Sequence, residues 1–216
     1  MSSTGVWVVC AIPDEAARNL PMQIISTVQH HAPAISPAYA ESLAWWSGGG
    51  DGEPFFEAVP DQPESLLPTS AAQRFAELVE SSNPHTEALA ALRDAIEELR
   101  PPVGDPGLFE AHAYRANPVA ALWYALGAAD SARLPGWFGD FLLTGEEVRA
   151  AILGVERALT RNNFRLTQAT TRISAWMTVM GAEPKFDAEE LLVAPLRVLR
   201  HCAEHGLGAA AFSRWY

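Results

Sequence analysis

Val6-Trp7-Val8-Val9-Cys10-Ala11-Ile12 decides the fold. The run is wholly apolar, rich in β-branched residues and bounded by Gly5 and Pro13, so it reads as a strand buried on both faces. At the other end of the chain, Ala209–Trp215 can also extend as a strand. Pairing the first and last strands would anchor two termini that otherwise fray. The expected architecture is therefore α+β: a predominantly helical single domain over residues 1–216, with a small sheet joining the N- and C-terminal strands.

Between these strands the helix starts are explicit. Pro13 leads into short helical pieces at Asp14–Leu20 and Pro21–His31, and Pro37–Trp46 reads as a further helix. Ser70 with Gln73 fits a capping box, ahead of Phe75, Leu78 and Val79 on one face. Asn83-Pro84 and Asn117-Pro118 each offer an N-cap followed by proline at the first helical position. Thr144 with Glu147 forms a second box, with Leu143 placed to staple onto Val148. Asn162 or Asn163 caps a segment striped by Ala169, Ile173, Trp176 and Met180. Asp187 with Glu190 caps the last helix, which Pro195 should kink or split and Gly206 should stop. Gly48 to Pro68, rich in glycine, proline and acids, reads as a long loop, and 47–68 is the best candidate for a mobile segment.

The chain has 216 residues, 49% of them hydrophobic and 19% charged, and a net charge of −11. That is an ordinary globular composition with core enough for one domain. An acidic chain lacks the basic face that neutralises phosphates, so no nucleic-acid partner is expected. No apolar run approaches the roughly 18 residues that cross a bilayer. The start lacks the basic residues and long apolar centre of a secretory signal, and two cysteines make no disulfide framework. The expectation is a cytoplasmic protein with no membrane partner and no cofactor. The charge is uneven: residues 1–68 hold eight acids against Arg18 alone, a balance of −7. Acidic surfaces steer association with basic partners.

Three constellations could carry chemistry. In an extended segment Glu110, His112 and Tyr114 share one face, with Arg115 next to them; histidine could act as a base oriented by the glutamate while the arginine binds an anion. His201-Cys202-Ala203-Glu204-His205 has the H-x-x-E-H spacing of an inverted zinc motif. The buried face of this helix, Leu192, Leu196, Leu199 and Ala203, leaves His201 nearly opposite and His205 at its edge, in a last turn before Gly206 where histidines meet the negative helix end, so no metal site is expected. The third set is aromatic: Trp45, Trp46, Phe55, Phe56 and Trp137 lie at loop positions, where aromatic rings anchor partners or close over ligands. Nucleophile-elbow, Walker and dinucleotide fingerprints are missing.

The order of parts resembles the YfbM-like family of small bacterial proteins. The resemblance rests on the opening strand with Pro13-Asp14-Glu15-Ala16-Ala17-Arg18-Asn19-Leu20, the aromatic central helix Asn117–Gly127, Phe141-Leu142-Leu143-Thr144-Gly145-Glu146-Glu147-Val148, and a closing helix followed by a short strand. It implies a fold and no established active site. That family's central helix presents Trp and His; here Trp123 is present, and 118–127 holds no histidine. The expected function is a non-catalytic binding domain that neutralises or regulates a basic protein partner. The alternative is a small-molecule hydrolase or tailoring enzyme built on Glu110, His112, Tyr114 and Arg115.

Overall fold

The computed structural model describes residues 3–20, 36–82, 87–160, 162–181, 184 and 186–216. The apolar run forms β1 (Thr4–Ile12), and the chain closes with β6 (Gly208–Trp215). The two pair antiparallel from Gly5 opposite Trp215 to Ile12 opposite Gly208. Beyond the pair, Thr4 N–H reaches Tyr216 O at 2.8 Å, and Tyr216 N–H returns to Thr4 O at 3.0 Å. With β4 (Leu108–Tyr114) and β5 (Phe141–Leu143) they make an antiparallel sheet ordered β4-β1-β6-β5.

Both faces of β1 are buried because helices cover both. Trp7, Val9 and Ala11 enter the larger core, while Val6, Val8, Cys10 and Ile12 enter a smaller one. The smaller core is closed by Ala17 and Leu20 of α1 (residues 14–20) and by Leu92 and Ile96 of α4 (Glu87–Leu99). The larger one takes α3 (Ser70–Ser81), α5 (Pro118–Leu126), α7 (Gly145–Leu159), α8 (Asn163–Met180) and α9 (Ala188–His205). Two-sided coverage explains why β1 is continuously apolar while a half-exposed strand alternates.

Helix starts follow the capping chemistry, with local differences. Asn117 Oδ1 accepts from Val119 N–H at 2.9 Å to open α5, where Pro118 needs no partner for a missing N–H. Thr144 and Glu147 make the reciprocal box of α7. For α3 the cap is Thr69, one residue before Ser70, because Thr69 Oγ1 also donates to Pro54 O at 2.7 Å. Asp187 caps α9 through Glu189 N–H at 2.7 Å, not through the expected box with Glu190. Pro195 does not split α9: apolar residues buried on both sides of it hold one helix from Ala188 to His205. The helical piece expected over Pro21–His31 and the cap at Asn83-Pro84 lie outside the described residues.

The 47–68 stretch is where expectation and structure differ most. It contains a 3-10 turn (Gly50–Gly52) and a hairpin of β2 (Phe56–Val59) and β3 (Gln62–Pro68). Its order comes from Phe55, which is buried at 2% exposure against Tyr124 and Phe75, and from Phe56 against Trp176. Strands of four and seven residues, separated by a Pro60-Asp61 turn and closed by Pro68, offer little periodicity to read, and the two rings supply the anchoring that turn composition hides.

Candidate functional site

The site begins at a tight turn. Trp137 and Asp140 exchange both backbone hydrogen bonds, at 3.0 and 3.1 Å. Between them Phe138 (φ 44°) and Gly139 (φ 86°) are both left-handed, as a two-residue type I′ hairpin requires. A Cβ on Gly139 would stand 2.7 Å from Val119 Cγ2, and Trp7 Nε1 donates to the Gly139 carbonyl at 3.0 Å. A left-handed phenylalanine costs about 1–2 kcal/mol. Burial of its ring beside Phe75 and Trp123 offsets that. The turn thus drives Phe138 inward and leaves its neighbour Trp137 46% exposed.

Trp137 is held by a directed chain. Its Nε1 donates to Tyr39 Oη at 2.7 Å, and Tyr39 lies 3.0 Å from Ser82 Oγ. Ser82 Oγ donates to Leu78 O at 2.7 Å, so Tyr39 donates to Ser82. The far end of the turn is held by Asp140, whose carboxylate accepts from Ser213 N–H at 2.8 Å and from Arg93 Nη2 at 3.2 Å. Burial outweighs both of these partners and pushes the Asp140 pKa up to about 6.

Under Trp137 lies a cavity of about 430 Å³. Leu43 and Trp46 of α2 (Pro37–Ser47), Trp123 of α5, Leu134 and Phe138 form its apolar walls. Alanines 128, 129 and 132, at α6 (Ala128–Ser131) and just beyond it, leave the space open. Asp51 is the one charged residue among the lining residues. Its Oδ2 would lie 2.5 Å from a Cβ on Gly127, so the missing side chain and φ of +77° there let the carboxylate rest on the backbone before α6. Among the described residues Asp51 makes no hydrogen bond or ion pair through its side chain.

Of the five aromatic candidates, the structure brings Trp46 and Trp137 to this pocket. Trp46 is otherwise a core residue, 4% exposed and 4.3 Å from the Phe75 ring. Phe55 is buried and Phe56 half-buried, fastening the hairpin to α5 and α8. Trp45 is half-buried, donating to Glu53 Oε1 at 2.6 Å beneath the Arg74 guanidinium. Sequence reasoning did not single out Asp51, Trp123 or Phe138 as site residues. The available signal was Gly136-Trp137-Phe138-Gly139-Asp140, whose glycines mark a turn that splits adjacent aromatics between core and surface.

Glu110, His112 and Tyr114 do share a face of β4, opposite Val8, Val6 and Thr4. That face is the α4 side of the sheet, away from Trp7 and the Trp137 pocket. Glu110 is ion-paired with Arg100, which also holds Glu97 at 3.1 Å. Arg115 turns its guanidinium over the Tyr114 ring, 5.0 Å from its centre. His112 and Trp137 do not line a common pocket. At the end of α9, His201 and His205 stack at 4.3 Å, and His205 Nδ1 lies 2.9 Å from His201 O. Glu204 sits exposed between them in sequence. Among the described residues no group of three or more His, Cys, Asp or Glu is arranged to hold a metal ion. His30, His31 and His85 lie outside the described residues. Cys10 and Cys202 are buried, which pushes both thiols up to about 12.

Protein-family models, curated proteins and solved structures give no match to this chain. Among the described residues, no helix is long and apolar enough to cross a membrane.

Proposed function

We propose that the chain is a non-catalytic, cytoplasmic binding domain that recognises a basic protein partner and thereby neutralises or regulates it. One observation carries this reading: the exposed Trp137 and the unpaired carboxylate of Asp51 meet at one pocket, and Asp51 belongs to a segment whose carboxylates make no ion pair among the described residues. Ion pairs among the described residues, such as Asp14–Arg18, Asp140–Arg93, Glu156–Arg200 and Asp94–Arg214, lie outside residues 36–68. Within that segment the carboxylates of Glu41, Asp51, Glu53, Glu57 and Asp61 make no ion pair among the described residues; Arg74, the cation that reaches the segment, donates to the Glu41 carbonyl at 3.0 Å and lies over the Trp45 ring. Such a surface attracts a cationic partner at long range, and a rigid aromatic ring supplies the contact energy at short range. The alternative catalytic set does not support an enzyme in the same way, because Glu110 is committed to Arg100 and Arg115 to Tyr114. The YfbM-like order of parts is proposed as a likeness of fold and adds no activity.

Selection from a random displayed-peptide library tests the proposal. Peptides retained by the wild-type chain should be net basic, and binding should fall about tenfold or more in the triple variant Glu41→Lys, Glu57→Lys, Asp61→Lys. Binding should be unchanged in His112→Ala with Arg115→Ala. Retention of neutral or acidic peptides, or indifference to the charge reversal, would overturn it.

A further inference from the structure

We propose that the pocket beneath Trp137 is a binding site for an organic cation, an ammonium or guanidinium group of a kind that a basic partner presents on a side chain. The inference rests on the binding-domain reading for its biological source, but its chemistry stands on the pocket alone. Aromatic faces carry negative quadrupole charge, and Trp is the strongest of them for a cation within about 6 Å. Trp46, Trp123 and Trp137 all line this cavity, together with Phe138. Their rings are fixed by the Phe75 contact, the left-handed turn and the Tyr39 hydrogen bond.

The polar content selects the sign of charge. Ser131 Oγ is spent on Ala128 O at 3.2 Å, and the indole N–H of Trp137 is spent on Tyr39. Asp51 alone contributes a charge, and its carboxylate has no partner among the described residues. An anion would meet a carboxylate here with no lining cation to hold it. A neutral ligand would leave that carboxylate's charge unused. A volume of about 430 Å³ falls in the range of small-ligand clefts and exceeds what one side-chain head group needs, so the site also admits the stem that carries it.

Titration of the full chain with choline, with its uncharged carbon isostere dimethylbutanol, and with acetyl-arginine amide tests the proposal, read by the amide and indole resonances of Gly49, Asp51, Ala129 and Trp137. Both cations should produce saturable shifts there, and dimethylbutanol should not saturate over the same range. Asp51→Asn should weaken both cations by about tenfold, and Ala129→Phe, which adds bulk at the mouth, should abolish binding while the remaining spectrum stays native. Trp137→Phe, which keeps a ring but loses the Tyr39 bond, should bind with intermediate strength. Equal saturation by the neutral isostere, or cation binding untouched by Asp51→Asn, overturns the proposal. Failure here is distinguishable from failure of the partner reading: the charge-reversed triple variant should keep choline binding while losing basic peptides. Basic peptides that bind Asp51→Asn at full strength would sink the pocket and leave the acidic surface standing.

Discussion

At the scale of single residues, Asp140 and Asp14 should impose opposite pH slopes on stability. Burial raises the Asp140 pKa to about 6, above its unfolded value, so between roughly pH 4 and 6 the native state holds more of this proton. Its contribution therefore favours folding at lower pH and is lost as pH rises through that window. Asp14 is lowered, first by the Gly145 N–H and then by Arg18, so its contribution is present at neutral pH and lost on acidification. Asp140→Asn, which keeps an acceptor for Ser213, should remove the first slope alone, as checked by urea unfolding at about pH 4, 5.5 and 7. Phe138→Ala should cost about 3–5 kcal/mol, because a buried ring is deleted from the turn. Equilibrium denaturation measures that, and a loss below about 1 kcal/mol would mean the ring does not anchor the turn. The buried thiols of Cys10 and Cys202 should resist a thiol reagent near pH 8 and react only on unfolding, since thiolate is the reacting species.

At the scale of elements, capping is the strongest local determinant. Thr144→Ala removes the acceptor for Glu147 N–H and should destabilise the chain by about 1 kcal/mol, measured as a shift in thermal midpoint. Much of this level was legible in the sequence. The strands at Val6–Ile12 and Ala209–Trp215, the Asn117-Pro118 start and the Thr144–Glu147 box all express local chemistry strong enough to survive tertiary packing. What was hidden depended on distant partners. Thr69 displaces Ser70 as a cap because Pro54 O is within reach, and Pro195 stays inside a helix because neighbours bury it. The β2–β3 hairpin forms because Phe55 and Phe56 find α5 and α8, which no window around them reveals. The site was half legible for the same reason. Trp137 stood out as a loop aromatic, but its cavity is assembled from α2, the 3-10 turn, α5 and α6, which come together only in three dimensions.

At the scale of the whole molecule, the first and last strands, β1 and β6, lie side by side in the centre of the sheet, and helices cover both faces. The acidic segment proposed to meet a partner is built outside that sheet, on α2, the 3-10 turn and the β2–β3 hairpin. Binding should therefore depend on charge and leave the scaffold unchanged: raising salt should slow association with a basic ligand far more than it speeds dissociation. The most direct measurement follows the Trp137 indole resonance of the isotopically labelled chain during titration with an arginine-rich peptide and its glutamate counterpart. The binding-domain account predicts a saturable, salt-sensitive shift of Trp137 and of the residues around Asp51 with the basic peptide alone. An unmoved Trp137 signal, or shifts centred on His112 and Tyr114, would contradict it.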